Sequence, residues 1–101
     1  ASSGVGRKGK AYWGAYAVSK FGLEGLMQVL AAELEETTRI RANSVNPGAT
    51  LTSMRLQAYP GEDRSRLAAP EDVLPPFLYL LGPDSRGVNG RAFDSQPVPD
   101  R

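Results

Sequence analysis

Tyr16 and Lys20 are the residues of this sequence with the clearest capacity for acid–base chemistry. They lie four positions apart in the segment Tyr-Ala-Val-Ser-Lys, a spacing that places both side chains on one face of a helix. A phenol with a pKa of about 10 is a poor base at neutral pH, and a neighbouring positive charge favours its phenolate. The pair is therefore a candidate proton-transfer site, although a packed tyrosine beside a solvated lysine has the same spacing.

The segment around this pair has the apolar periodicity of a long helix, which we predict from Trp13 to Glu36. The apolar residues that recur at helical spacing are Tyr16, Phe21, Leu23, Leu26, Met27, Leu30 and Leu34. They cover more of the helix circumference than a narrow stripe, and Gly22 and Gly25 would let a neighbouring element approach closely. We therefore expect this helix to be buried against more than one neighbour.

Shorter elements follow the long helix. The residues from Ile40 to Asn46 predict a strand that Pro47 and Gly48 end. A polar connection follows over 49–69, with a short helix near 53–59. The next helix starts at Pro70 and continues through Leu81, and Pro75 and Pro76 predict that its regular part begins late. The last predicted strand spans Arg91–Ser95. A strand, a helix and a strand in this order predict a parallel pair with a right-handed crossover.

The composition excludes several kinds of site. The chain has no cysteine, which excludes disulfides, a thiolate nucleophile and cysteine-ligated metals. It also has no histidine, so it lacks the usual general base, the Ser-His-Asp triad and the commonest metal ligand. Proton transfer must therefore use Tyr, Lys, Asp or Glu, and we expect no metal site.

The charge and hydropathy patterns concern partners and location. The net charge of +1 provides no broad basic surface for nucleic acid or a membrane, and we interpret the cluster of Arg7, Lys8 and Lys10 as a solvated loop rather than a nucleic-acid site. No run approaches the roughly 20 apolar residues that span a bilayer, so a cytoplasmic location is expected. The chain begins with Ala rather than Met, which suggests a processed or partial product.

Further motifs accompany the Tyr-Lys pair at characteristic intervals. Ser3 precedes Tyr16 by thirteen positions, where a strand would just have ended. The other motifs are Asn46-Pro47-Gly48-Ala49-Thr50-Leu51-Thr52 after the next strand, Pro70-Glu71-Asp72-Val73, and Gly90-x-x-Phe93-Asp94. Together they resemble the short-chain dehydrogenase/reductase family, above all its bacterial oxidoreductases, over essentially the whole chain.

The resemblance implies an α/β fold, namely the C-terminal part of a Rossmann-like doubly wound parallel sheet. In that family a long catalytic helix, a strand, a helix and a strand form this part, and the N-terminal nucleotide-binding half would be absent here. Residues 1–101 would thus be a partial catalytic domain. The family's glycine-rich first turn, its Asn-Ala-Gly segment and its catalytic asparagine would lie upstream, and Ser95-Gln96 replaces the glycine pair that often follows the late aspartate.

The resemblance also implies a role for each matching residue. Tyr16 would be the general acid in reduction and the base in oxidation, Lys20 would favour its phenolate and hold the nicotinamide ribose, and Ser3 would hydrogen-bond the substrate carbonyl. The nicotinamide pocket would be formed by Pro47, Gly48, Ala49, Thr50 and Thr52 together with the Tyr-Lys pair. The cofactor would be NAD(P), with NAD and NADP not distinguished. From the residues alone, Pro47-Gly48 could equally be a plain strand stop.

Gly4 to Gly9 match the dinucleotide fingerprint G-x-G-x-x-G, which requires a strand before it and a helix that opens at its end. Only three residues precede Gly4, and the predicted helix begins several residues after Gly9. We therefore interpret the match as a flexible loop behind Ser3 rather than a phosphate-binding turn.

The predicted function is an NAD(P)-dependent oxidoreductase that interconverts an alcohol and a ketone by hydride transfer. A homo-oligomer through the helix from Trp13 to Glu36 is expected in the complete enzyme, and the isolated 101-residue chain is expected to be inactive. The alternative is a catalytically inactive truncated protein of the same family that acts as an interaction or structural piece. A dinucleotide-binding assay would distinguish the two.

Overall fold

The computed structural model describes residues 1–9 and 11–97. Its helices are α1 (Gly14–Glu35), α2 (Ser53–Ala58) and α3 (Pro75–Leu81), and its strands are β1 (Ser44–Asn46) and β2 (Ala92–Asp94). Short 3₁₀ segments lie at Gly4–Gly6, Arg64–Arg66, Pro70–Val73 and Pro83–Ser85. Lys10, part of the predicted basic loop, lies outside the described residues.

Helix α1 confirms the long predicted helix to within one residue at each end. Just after its end, the Thr38 hydroxyl donates to the Leu34 carbonyl at 2.8 Å and accepts from the Ile40 amide at 3.0 Å, and such side-chain bonds to the backbone compete with helix continuation. Its buried residues, Glu24, Met27 and Ala31, follow helical spacing along one face. The other faces expose apolar side chains, so the expected burial of this helix against more than one neighbour stays a prediction.

Strands β1 and β2 form a parallel pair, with Ser44 opposite Ala92 and Asn46 opposite Asp94. The predicted parallel pairing is therefore confirmed, and the fold is α/β with a small parallel sheet. The predicted strand over Ile40–Asn46 was too long, because β1 begins only at Ser44. Before Ser44, backbone groups bond to side-chain amides rather than to a neighbouring strand. The Ala42 amide, for example, donates to Asn89 Oδ1 at 2.9 Å.

The second edge of β1 contacts the beginning of the chain, where the Ser2 amide donates to the Val45 carbonyl at 2.7 Å. Val45 is one of the core residues, with 4% of its surface exposed. This contact places Ser3 at the end of β1, close to the point where the chain turns towards α2. The predicted position of Ser3 after an extended segment agrees with this arrangement.

The proline-rich segment before α3 behaves as predicted. Residues Pro70–Val73 form a 3₁₀ turn, and the regular helix begins only at Pro75. Proline lacks an amide hydrogen but has a helical φ, so Pro75 and Pro76 are tolerated in the first turn of α3 and not further along it. The last strand spans Ala92–Asp94, shorter than the predicted Arg91–Ser95. Within the described residues, no helix is both long and apolar enough to cross a bilayer.

Candidate active site

The 3₁₀ turn at Gly4–Gly6 packs between α1 and the end of β1. A Cβ on the buried Gly6 would lie 2.9 Å from the carbonyl oxygen of Lys20, so only glycine permits this approach to α1. A Cβ on Gly4 would lie 3.7 Å from Nδ2 of Asn46. Ser3 caps the turn, because its Oγ accepts a hydrogen bond from the Val5 amide at 3.3 Å. The turn that Ser3 caps therefore packs against the backbone of Lys20 through Gly6 and approaches the strand end through Gly4.

This geometry corrects the interpretation of Gly4 to Gly9 as a flexible, solvated loop for the residues from Gly4 to Arg7, whereas Lys8 and Gly9 are exposed. The side chain of Arg7 is only 18% exposed and donates to Asp94 Oδ1 at 2.5 Å and to the Phe93 carbonyl at 3.0 Å. Its Nε lies 3.5 Å from Oε1 of Glu24 on α1. The glycines serve close packing and Arg7 anchors the turn. The dinucleotide fingerprint requires a helix that begins at Gly9, whereas α1 begins at Gly14, so this requirement is not met.

Tyr16 and Lys20 lie close together on α1. The Nζ atom of Lys20 is 5.5 Å from the centre of the Tyr16 ring, as the four-residue spacing predicts. The same Nζ is 3.5 Å from the carbonyl oxygen of Ala1, at the outer limit of a hydrogen bond. Tyr16 is 39% exposed. The pair thus contacts the segment that carries Ser3 and is still open to a ligand.

The turn after β1 contains the residues predicted to line a nicotinamide pocket. Gly48 has a φ of +77°, a conformation that favours glycine, so the residue is more than a strand stop. Its amide donates to Asn46 Oδ1 at 3.0 Å, and the Thr50 hydroxyl donates to its carbonyl at 3.0 Å. These bonds hold Pro47, Gly48 and Ala49 in one tight turn without a large side chain.

Thr52 has a structural contact in addition to any role with a cofactor. Its Oγ1 accepts a hydrogen bond from the Arg55 amide at 3.2 Å and so caps α2. The hydroxyl hydrogen remains available as a donor, since the cap uses only a lone pair. A parallel bridge between Thr50 and Ala68 joins the two ends of the intervening connection, and we name residues 52–67 of this connection the lid segment.

Aromatic contacts connect the lid segment to the candidate proton-transfer site. The ring of Trp13 stacks on Tyr59, with 5.9 Å between centroids and 23° between planes, and it meets Tyr16 edge to face at 5.5 Å. The Arg55 guanidinium lies 4.0 Å from the centre of the Tyr59 ring, and it pairs with both carboxylate oxygens of Glu62. The lid segment is therefore held beside Tyr16 by a chain of side-chain contacts.

Sequence reasoning missed the role of Glu24, which lies on the buried face of α1 with 7% exposure. The Ser44 hydroxyl donates to its Oε2 at 2.8 Å. Burial raises the pKa of this carboxyl, but the Ser2 and Ser44 hydroxyls and the positive charge of Arg7 outweigh burial and leave the pKa below its usual range. An acidic residue in register with Met27 and Ala31 was the signal in the sequence for a buried charge.

The residues predicted as a site thus fall into two groups. Ser3 caps the packed 3₁₀ turn, Lys20 contacts this turn through its backbone, and Tyr16 lies beside Lys20 on α1. Asn46, which accepts from the turn after β1, approaches Gly4 of the 3₁₀ turn. Thr52 lies at the start of α2. In the described part of the chain, no three acidic side chains form a group that could hold a metal ion.

Comparisons with known proteins agree on one family. The sequence model of the short chain dehydrogenases matches residues 1–63. Uncharacterized oxidoreductase YciK of Escherichia coli is 54% identical over 95% of this chain and 37% of its own length. A structure from Pseudomonas syringae described as a short chain dehydrogenase is 64% identical, with a TM-score of 0.90 over 94% of this chain and 38% of that one.

A third relative, a short chain dehydrogenase from Shigella flexneri 2a, has been solved in complex with NADP. It is 54% identical, and its TM-score is 0.89 over 95% of this chain and 39% of that one. The chain therefore spans about two fifths of the length of the relatives that it matches. Since the family model covers more than half of the 101 residues, this chain belongs to the short-chain dehydrogenase family.

Proposed function

We propose that the full-length gene product interconverts a carbonyl compound and an alcohol with NAD(P), and that residues 1–101 form part of its catalytic domain. The observation that supports this best is the position of Lys20. Its ammonium lies beside the Tyr16 ring, while its backbone packs against the glycine turn that Ser3 caps. A phenol and an ammonium on one helix, with a hydroxyl on the turn that packs against this helix, are suited to acid–base chemistry at a substrate oxygen.

The donors of this site suit a nicotinamide cofactor. Lys20 Nζ donates one long hydrogen bond, at 3.5 Å, to the carbonyl oxygen of Ala1, which leaves two of its three hydrogens for ribose hydroxyls. The turn at Pro47 to Ala49 contains no large side chain, and its positive φ at Gly48 exposes backbone to an approaching ring. Thr50 and Thr52 add hydroxyls next to this turn. The bound cofactor would supply the hydride.

The chain's own residues would manage the proton and the orientation of the substrate. Ser3 would donate a hydrogen bond to the carbonyl oxygen and so fix its position. Tyr16 would transfer its hydroxyl proton to that oxygen during reduction and would accept a proton during oxidation. The positive charge of Lys20 would stabilise the phenolate that remains after proton transfer. The lid segment would contact the substrate through Tyr59, together with Trp13, on which Tyr59 stacks.

Relatives with bound cofactor support testing NADP first. The Shigella flexneri relative is complexed with NADP and an Escherichia coli CFT073 relative with NADPH, each at 54% identity. We therefore propose that the full-length product uses NADP(H), while NAD(H) remains the alternative.

Homo-oligomerisation through α1 is the second part of the proposal. Apolar side chains on the outer faces of this helix, among them Phe21, Leu26 and Val29, are each about half exposed. An exposed apolar surface of this kind marks a packing surface. The same surface supports the alternative of a non-catalytic interaction piece, which cofactor turnover would rule out.

The test is a reductase assay of the full-length gene product. NADPH and NADH oxidation would be followed with a panel of aliphatic and aromatic aldehydes and ketones. We expect carbonyl-dependent turnover with at least one cofactor. Tight NADPH or NADH binding without turnover across the panel would leave the substrate unidentified, whereas the absence of both binding and turnover would favour the interaction piece.

A further inference from the structure

We propose that Gln96 is a positioning residue that fixes the Pro47-Gly48-Ala49 turn against the nicotinamide end of the cofactor. This inference rests on the proposed function and adds a residue from the far end of the chain to the site. Ser95-Gln96 occupies the place after Asp94 at which the resemblance would suggest glycines. The long amide side chain of Gln96 therefore distinguishes this sequence from the pattern with glycines at this place.

The contact is made by one amide group with two carbonyls. Nε2 of the half-buried Gln96 donates to the carbonyl oxygen of Pro47 at 2.8 Å and to that of Ala49 at 2.9 Å. These carbonyls flank Gly48, and a Cβ on Gly48 would lie 2.8 Å from the same nitrogen. Both hydrogens of the amide are thus used by the two ends of one turn, and the side chain fills the space beneath the glycine.

The polar groups of Gly48 itself are also engaged. The Gly48 amide and carbonyl bond to Asn46 and Thr50, respectively. With Gln96 bound to the flanking carbonyls, none of these peptide planes can rotate without losing a hydrogen bond. The turn is consequently held in one orientation, which lowers the cost of ordering it when a ring binds.

The anchor of Gln96 is the sheet itself. The Ser95 amide donates to the Asn46 carbonyl at 2.9 Å, which extends the parallel pairing by one residue. The Ser95 hydroxyl donates to the Val73 carbonyl at 2.8 Å. Because its neighbour is fixed on both sides, Gln96 approaches the turn from a rigid base rather than from a loose tail.

The experiment compares two ligands that differ only in the nicotinamide. NADPH and 2′-phospho-ADP-ribose would be titrated calorimetrically into the full-length gene product and its Gln96→Met variant, with NADH and ADP-ribose as the parallel pair. Methionine is of similar length but cannot donate to either carbonyl. Gln96→Asn keeps the amide but shortens its reach by one methylene, and Gln28→Met on the exposed side of α1 is the matched control.

We expect Gln96→Met to weaken NADPH binding about tenfold and to change 2′-phospho-ADP-ribose binding by less than about twofold. Gln96→Asn should show the same selective loss, and it replaces the methionine variant if thermal unfolding shows that the latter is not folded. Equal weakening of both ligands would assign Gln96 a purely structural role and overturn the inference, as would unchanged NADPH binding. If the wild-type protein bound neither NADPH nor NADH, the proposed function would fail, and the inference with it.

Discussion

At the scale of single residues, Lys20 has two proposed roles, in proton transfer and in ribose binding, and one substitution removes both. Its ammonium lies near the Tyr16 ring and has donors free for ribose hydroxyls. We expect Lys20→Met in the full-length product to weaken NADPH binding and to lower kcat, each by about tenfold or more. Calorimetry and steady-state kinetics measure the two effects. Lys8→Met, at an exposed position, is the control, and a kcat unchanged in Lys20→Met would contradict the proton-transfer role.

Glu24 determines a pH dependence of stability rather than of catalysis. The pKa of Glu24 in the folded protein lies below its usual range, so ionisation of this carboxyl stabilises the fold at pH values above its pKa in the unfolded chain, about 4.3. This stabilisation is lost as the pH falls through the lower pKa of the folded protein. We expect the urea midpoint of the wild type to fall more steeply below about pH 4.5 than that of Glu24→Gln. Glu33→Gln, on the exposed side of α1, should follow the wild type. Parallel curves for wild type and Glu24→Gln would refute this.

At the scale of elements, the lid segment depends on a few side chains for its position. The pair of Arg55 and Glu62 is partly exposed, and it orients the guanidinium over Tyr59. Glu62→Gln should therefore raise the KM for the carbonyl substrate about twofold to fivefold, as expected for a partly exposed ion pair, and leave the NADPH dissociation constant unchanged. Steady-state kinetics beside calorimetry test this, with Glu36→Gln as the control. An equal change in NADPH affinity would show that the lid does not act on the substrate alone.

The elements themselves were largely predictable, because their signals are local. The periodicity around Leu26 and Met27 predicted α1, and the prolines before Phe77 predicted the delayed start of α3. The contacts of Arg7, Glu24 and Gln96 were not predictable, because each joins segments far apart in the sequence. A glutamine after Asp94 has no local signal that it would reach a turn almost fifty residues earlier.

At the scale of the molecule, the chain spans about two fifths of its relatives' length and exposes much of α1. In doubly wound folds a dinucleotide lies across both halves of the sheet. We therefore expect the 101 residues expressed alone neither to bind NADPH or NADH tightly nor to turn over substrate, and to self-associate through the apolar faces of α1. Isothermal titration and sedimentation test this, with the full-length product as the control. Micromolar binding by a compact monomer would revive Gly4 to Gly9 as a phosphate site.

The central proposal is that Tyr16 exchanges a proton with the substrate. The measurement that tests it most directly is kcat/KM of the full-length product with Tyr16→Phe, together with NADPH binding by the same variant. Tyr12→Phe is the matched control, because Tyr12 is fully exposed on the chain just before α1. We predict that Tyr16→Phe lowers kcat/KM about 100-fold to 10,000-fold while NADPH binding stays within about twofold, and that Tyr12→Phe changes neither. A Tyr16→Phe enzyme that kept more than about half of the wild-type activity would contradict the account.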